Sequence, residues 1–452
     1  MERQVVRRCA SAFAAVILTV AALSLPRAAA ADAPDSGPQV VSAAGSFYPT
    51  DVRRLLGTTT AGYAVSAGRD ATVRVVGREG IPSSGLSAAL VNVTAAAGSS
   101  AATLTAFPSG RPTAETSLLS VPAGSTRSAL LTVPLGVLGS FDMRDSGGPV
   151  AVTVDIVGFY AADDTVVASR GVGGGYQPVE ATRLFDSREV PSQDTGRAPG
   201  ALPAQGRTRL SVDLGQAINS HVTALALQVS AVAPPADGSL TVWGGGSAPD
   251  LTSVSFSAGA GAANLAVVPT SSGLGGTLDV SVANLGPAPV DVTVDVIGFY
   301  DDGRLGPNLR FRPLAPTRVV DTRLGLGAPA VGAGPSTTIT APPSVAGDNT
   351  FGLVGVVTTL APIAPSELSF WPEGSSRPEA AGIAVGAGAQ ASTPVQTEVG
   401  RSKTIQAHNA VGSTDILLDV TGSFEAYPPV TDPSTRAWVR PVSSWQVSAV
   451  AH

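Results

Sequence analysis

Short runs of Val, Ala, Leu and Thr recur along this chain, and within them apolar and polar side chains alternate. Leu104-Thr-Ala-Phe107, Leu240-Thr-Val-Trp243 and Leu368-Ser-Phe-Trp371 are such runs, each followed by a Gly-containing turn. A period of two is that of a strand, whose successive side chains point to opposite faces. Gly and Pro are the residues that turn one strand into the next. The pattern predicts many short strands and an all-β fold.

The strands recur in a fixed order. Val152-Thr-Val-Asp155-Ile-Val-Gly158-Phe-Tyr160 matches Val292-Thr-Val-Asp295-Val-Ile-Gly298-Phe-Tyr300, and Ile416-Leu-Leu-Asp419-Val-Thr-Gly422-Ser-Phe424 is a looser copy. A second motif opens each copy: Phe311-Arg-Pro-Leu-Ala-Pro-Thr-Arg318-Val-Val-Asp321-Thr-Arg323 matches Tyr176-Gln-Pro-Val-Glu-Ala-Thr-Arg183-Leu-Phe-Asp186-Ser-Arg188. In the first copy it is reduced to Phe47-Tyr-Pro-Thr-Asp-Val-Arg-Arg54, which keeps the aromatic, the proline and one arginine. Between the two motifs lie an apolar strand (Ala89-Leu-Val-Asn-Val-Thr94 in the first copy) and the strand-plus-turn already quoted. Landmarks in one order mark an internal repeat.

These motifs resemble a module common in secreted actinobacterial proteins. That module opens with aromatic-x-Pro and Pro-Thr-Arg-x-x-Asp-Thr-Arg and closes with an Asp-Val-x-Gly-Tyr-Phe strand. The resemblance implies an extracellular, ligand- or wall-associated β module, found in proteins of unknown function and as an appendage to secreted enzymes.

Copies of this length suit a sandwich of two antiparallel sheets and are too long for propeller blades. The expected organisation is three tandem antiparallel β-sandwich modules over residues 47–160, 176–300 and 311–424. Linkers fall at 161–175 and 301–310, where the Asp pairs read as solvated, and a tail at 425–452. The tail's Trp445-Gln-Val-Ser-Ala-Val450 alternates like a strand. It would complete the third module's edge, pair with another protein by strand addition, or stay disordered.

The first 30 residues change the picture of where the chain works. Arg3, Arg7 and Arg8 precede an apolar run from Ala10 to Leu25, and Ala28-Ala29-Ala30 offers a cleavage site, as in a secretory signal peptide. Residues 31–46 read as an N-terminal linker. Cys9 is the only cysteine, so the processed chain would have neither disulfides nor thiolate chemistry. The expectation is an extracellular or wall-associated protein, without membrane insertion in the mature form. A net charge of −6 and a pI near 5.2 disfavour nucleic acid as a partner. A hydrophobic content of 44% rules out a disordered chain for the bulk of the sequence.

Charge on the strands needs an account. Asp155, Asp295 and Asp419 sit among Val, Ile and Leu, where a carboxylate needs a partner. The repeated arginine supplies one, giving the expected ion pairs Arg54–Asp155, Arg183–Asp295 and Arg318–Asp419 between terminal strands. Asp186 with Arg188, and Asp321 with Arg323, form a second local set, and copy one lacks both members together.

No catalytic or metal constellation is legible, and no cofactor motif. Arg144-Asp145-Ser146-Gly147-Gly148-Pro149 looks like the nucleophile signature of trypsin-like proteases, but the three His (221, 408 and 452) lie far downstream, and the segment aligns with a hairpin turn in each copy. Asn92-Val-Thr94 satisfies a glycosylation sequon yet falls within a strand. Binding is better sought at Phe107, Trp243 and Trp371, one repeat position before a turn, where a ring on the polar face would stack on a sugar or anchor a protein. The plainer reading of the position, and the one favoured, is a ring folded over the sandwich edge. The expected function is a non-enzymatic, secreted binder of envelope or environmental polysaccharide; the alternative is an adaptor joining secreted or surface proteins.

Overall fold

A computed structural model of the protein describes residues 42–57, 64–113, 116–189, 200–271, 276–378, 382–388, 390–429 and 448–449. The expected leader at 1–30, the linker up to residue 41 and most of the tail lie outside the described residues. The strands of the first copy are β1 (Phe47–Gly57), β2 (Asp70–Arg74), β3 (Leu86–Ala97), β4 (Ala102–Pro108), β5 (Leu119–Val121), β6 (Thr126–Pro134), β7 (Ser140–Asp145) and β8 (Val150–Ala161). They form two antiparallel four-stranded sheets, ordered β1-β8-β3-β6 and β2-β7-β4-β5.

The next strands are β9 (Tyr176–Asp186), β10 (Arg207–Asp213), β11 (Val222–Val232), β12 (Gly238–Trp243), β13 (Val254–Phe256), β14 (Ala262–Pro269), β15 (Leu278–Asn284) and β16 (Asp291–Asp301). Their order repeats the first set: β9-β16-β11-β14 and β10-β15-β12-β13. The last set is β17 (Asn308–Asp321), β18 (Val331–Gly332), β19 (Thr337–Thr340), β20 (Thr350–Leu360), β21 (Ser366–Pro372), β22 (Ile383–Val385), β23 (Ala391–Glu398), β24 (Thr404–Asn409) and β25 (Ser413–Tyr427). It is ordered β17-β25-β20-β23 and β19-β24-β21-β22, with the short β18 added to β25. A single bridge, Leu309 to Tyr176, joins β17 to β9. The fold is all-β, with several antiparallel sheets; no helix among the described residues is long and apolar enough to cross a membrane.

Each pair of sheets closes over its own apolar cluster. Val73, Val91, Leu104, Phe141 and Val154 belong to the first, Leu210, Leu227, Leu240, Val280 and Val294 to the second, and Ile339, Leu353, Leu368, Ile405 and Leu418 to the third. A fourth cluster is shared: it takes Leu90, Val157 and Tyr160 from the first copy, Ala226, Ile297 and Tyr300 from the second, and Phe311, Val354 and Phe424 from the third. Strands β3, β11 and β20 are therefore buried on both faces. Two-sided burial accounts for their near-continuous apolar sequences, where a strand with one wet face would alternate strictly.

The copies meet head to tail. β13 packs on β6, β22 on β14 and β5 on β23, so the three contacts run in one sense and return to the start. Such heterologous contacts close into a ring when the rotation permits. Side chains stitch each seam: Ser128 and Ser255 hydroxyls lie 2.7 Å apart, the Ser230 hydroxyl donates to the Gly382 carbonyl, and the Ser120 amide donates to the Ser392 hydroxyl.

The expected linkers differ from a solvated tether. The Phe47 amide donates to the Gly174 carbonyl and the Phe311 amide to the Gly45 carbonyl, each at about the length of a sheet bond. Asp301, expected to be solvated, is fully buried and accepts from the Gly175 and Gly303 amides and the Gln177 side-chain amide. A carboxylate withdrawn from water requires such donors. The described part of the tail also departs from expectation: β26 (Ser448–Ala449) pairs with Val212 and Asp213 of β10, on the second copy's outer sheet.

Candidate functional site

The repeated motifs converge on the shared core. Phe47 lies 4.1 Å from the Tyr300 ring, Tyr176 4.7 Å from Phe424, and Phe311 4.2 Å from Tyr160. Each opening aromatic thus stacks on the closing aromatic of the next copy. The Tyr160 and Tyr300 hydroxyls are 2.7 Å apart and fully buried, and burial raises both phenols above their ordinary range. The glycine of the closing motif has a steric cause. A Cβ at Gly158, Gly298 or Gly422 would meet the ring of Phe47, Tyr176 or Phe311 closer than any carbon–carbon contact allows.

The charged positions lie across the strands that carry these rings. Register sets Arg54 opposite Asp155, Arg183 opposite Asp295 and Arg318 opposite Asp419. Arg54 Nε donates to Asp155 Oδ1 at 2.6 Å, Arg183 Nε donates to Asp295, and Arg318 makes two bonds of 2.9 Å to Asp419. Burial pushes the Asp155 carboxyl above its ordinary range, with the Arg54 guanidinium opposing. Each pair also faces the next copy. Arg54 Nη2 lies 3.4 Å from Asp250, Glu367 is within electrostatic reach of Arg183, and the Ser117 amide donates to Asp419 at 2.9 Å. Arg188 and Arg323 hold Asp186 and Asp321 through paired bonds.

The candidate binding aromatics are buried. Phe107 is 2% exposed, and Trp243 and Trp371 are 7% exposed. The segment after the turn folds back over the strand in the first two copies: the Thr105 hydroxyl donates to the Thr116 carbonyl and the Thr241 hydroxyl to the Leu251 carbonyl. The face that alternation marks as polar is thereby covered. The Trp243 indole donates to Gly246 within its own turn, and the Arg144 guanidinium stands 5.9 Å above the Phe107 ring.

Trp371 alone of the three lines a described cleft. A cavity of about 360 Å³ opens where β9 faces the turn after β21 and the end of β23. Tyr176, Trp371, Glu180, Glu398, Ser375 and Gln396 are among its walls. The ladder between β9 and β16 skips between Pro178 and Thr182, a bulge that presents Val179, Glu180 and Ala181 to the cleft. Pro378 is shared with a second hollow of about 540 Å³, lined also by Glu367, Ser369, Arg377, His408 and Ala410.

The remaining motifs have structural places. Asp145 is fully buried in the β7–β8 hairpin and accepts from the Thr103 and Gly147 amides, while the Ser146 hydroxyl faces the Thr103 carbonyl. Asn92 is 2% exposed and its amide donates to the Thr252 carbonyl of the next copy, so the sequon is enclosed. His221 is paired with Asp302 at 3.0 Å. Among the described residues no three His, Cys, Asp or Glu side chains gather in a group fit for a metal ion.

No family model matches the chain, and no curated protein matches it. Among solved structures it is similar to the tandem CBM22-1-CBM22-2 domain of Paenibacillus barcinonensis Xyn10C, at 9% identity over 56% of this chain and 96% of that one, TM-score 0.15. It is also similar to a chain from the atomic structure of Sulfolobus Turreted Icosahedral Virus, and to one from a study of the triple jelly roll fold and turret assembly in an archaeal virus. Both are 11% identical over 84% of this chain and 91% of the other, TM-score 0.16. Likenesses of that size decide neither architecture nor function.

Proposed function

We propose that this chain is a secreted, non-enzymatic binding protein that recognises polysaccharide in the cleft at Trp371. The finer architecture we propose is three tandem antiparallel β-sandwich modules of the double-sheet jelly-roll kind, related to the secreted actinobacterial module, and closed into a ring. In this reading the repeated Arg–Asp pairs and axial aromatics are scaffold, and the binding surface lies where two modules meet. The supporting observation is the cleft's chemistry. Trp371, with the half-buried Phe370 and Pro372 beside it, offers apolar surface for the C–H face of a sugar, while Glu180, Glu398, Gln396 and Ser375 offer groups for its hydroxyls.

The test is affinity electrophoresis or calorimetry of the purified protein against a panel of soluble polysaccharides and cell-wall preparations. Trp371→Ala is expected to weaken binding by about tenfold or more, as loss of an aromatic anchor does. Phe107→Ala and Trp243→Ala are expected to lower stability and leave affinity unchanged. A folded Trp371→Ala protein that binds as the parent does would sink the reading. Incubation with a bound polysaccharide should release no new reducing ends, and the chain should be recovered from the culture medium or wall fraction.

A second reading, an adaptor between protein partners, would require the Ser448–Ala449 strand to leave the β10 edge of its own chain and pair with a partner. It predicts that removing residues 430–452 abolishes co-purification of a partner from the native secretome. Unchanged co-purification excludes it.

A further inference from the structure

The second hollow beside the Trp371 cleft brings an arginine and a histidine together. Arg377 Nη1 lies 2.9 and 3.0 Å from the two ring nitrogens of His408. Among the described residues Arg377 makes no ion pair with a carboxylate, and it is exposed. Among the described residues the acid lining the hollow is Glu367, which is within electrostatic reach of Arg183 and Arg188 across the seam.

The other copies show what is unusual here. His408 stands opposite Ser369, Arg144 opposite Thr105, and Ala283 opposite Thr241, so the three share one repeat position. In the first copy the residue there is Arg144, which makes two bonds, 2.6 and 2.8 Å, to Asp70 on β2. In the third copy β19 begins at Thr337 opposite Ala407, and the preceding residue, one step toward His408, is Ser336. Ser336 thus stands where the first copy has Asp70, and the partner found beside His408 is Arg377. The Arg377 guanidinium, which has no carboxylate partner among the described residues, has donors left for an anion.

We infer that Arg377 and His408 form a subsite for the anionic group of an acidic polysaccharide whose neighbouring sugar occupies the Trp371 cleft. The inference rests on the proposed polysaccharide binding. Pro378 is common to both cavities, and Ser375 and Ser376 lead from Trp371 to Arg377, so one bound chain passes from the aromatic wall to the cationic pair. The guanidinium donates in a planar fork that matches a carboxylate.

The probes are polygalacturonic acid and its fully methyl-esterified form, which differ in charge and share a backbone. The parent protein is expected to bind the acid form about tenfold more tightly, an advantage that shrinks as salt is raised. Arg377→Gln and His408→Gln should each lower affinity for the acid form toward that for the ester and leave ester binding unchanged. Trp371→Ala should weaken both. Equal affinity of the parent for acid and ester, or an Arg377→Gln protein that keeps its preference, overturns the anionic subsite while polysaccharide binding stands. Binding of neither polymer, with no binding across the wider panel, removes the polysaccharide reading and this inference together.

Discussion

At the scale of single residues, the motif letters that recur are those that touch another copy or another strand. Gly298 is glycine because the Tyr176 ring occupies the place of its side chain. Gly298→Ala is expected to cost about 1–3 kcal/mol, the range for overpacking a filled core, read by chemical denaturation. A change under about 0.5 kcal/mol would mean that the ring has room to move. Titration distinguishes the local pairs. Hydrogen bonds and charge from Arg323 hold the Asp321 carboxyl below its ordinary range, although burial opposes them. A depressed carboxyl contributes stability above its unfolded value, about 3.9, and that contribution is lost as pH falls through the lower folded value. Asp321→Asn should therefore destabilise by about 1 kcal/mol at pH 7, the partner guanidinium being half exposed, and by almost nothing near pH 2. Equal destabilisation at both pH values would exclude the pair as its source. Asp155 carries the opposite sign: burial raises it, so whatever its protonated form contributes is present at low pH and lost as pH rises through the folded value.

At the scale of strands, the Arg–Asp separations of 101, 112 and 101 residues become a cross-strand register between the first and last strands of each copy. Those strands are adjacent because the chain closes its sheet end to end, and a charge on one needs the charge on the other. A double-mutant cycle with Arg183→Ala and Asp295→Asn should show a coupling of about 1–3 kcal/mol. Additive losses would show that each residue acts alone. Strand content was legible in the chain because alternation and Gly/Pro punctuation are local. The burial of Phe107 and Trp243 was not, because the segment that folds over each strand returns from ten or so residues away, and alternation cannot report a strand whose polar face is closed by a loop. The cleft was still less legible, since Glu180 and Trp371 come from different copies.

At the scale of the whole molecule, a shared core makes the three sheet pairs one folding unit. Two-sided apolar runs such as Ala89-Leu-Val-Asn-Val-Thr94 carried a signal for it, but a sequence does not say which surface covers the second face. Its consequence can be tested by cutting the chain. Arg304 is exposed between β16 and β17, and a protease site placed at Gly303–Gly306 would sever the covalent link there. The third copy would still be held by the β22–β14 and β5–β23 seams and by the stacked pairs Tyr176–Phe424 and Phe311–Tyr160. The cut protein is expected to run as one species on size exclusion at about 1 μM and to separate only in denaturant. Calorimetry of the uncut chain should give a single cooperative transition. Phe311→Ala should lower it as a whole, by about 3–5 kcal/mol, because the ring belongs to the core common to all copies. Two or three resolved transitions, with Phe311→Ala moving one of them, would mean that the copies fold independently and that the axial aromatics merely dock finished domains.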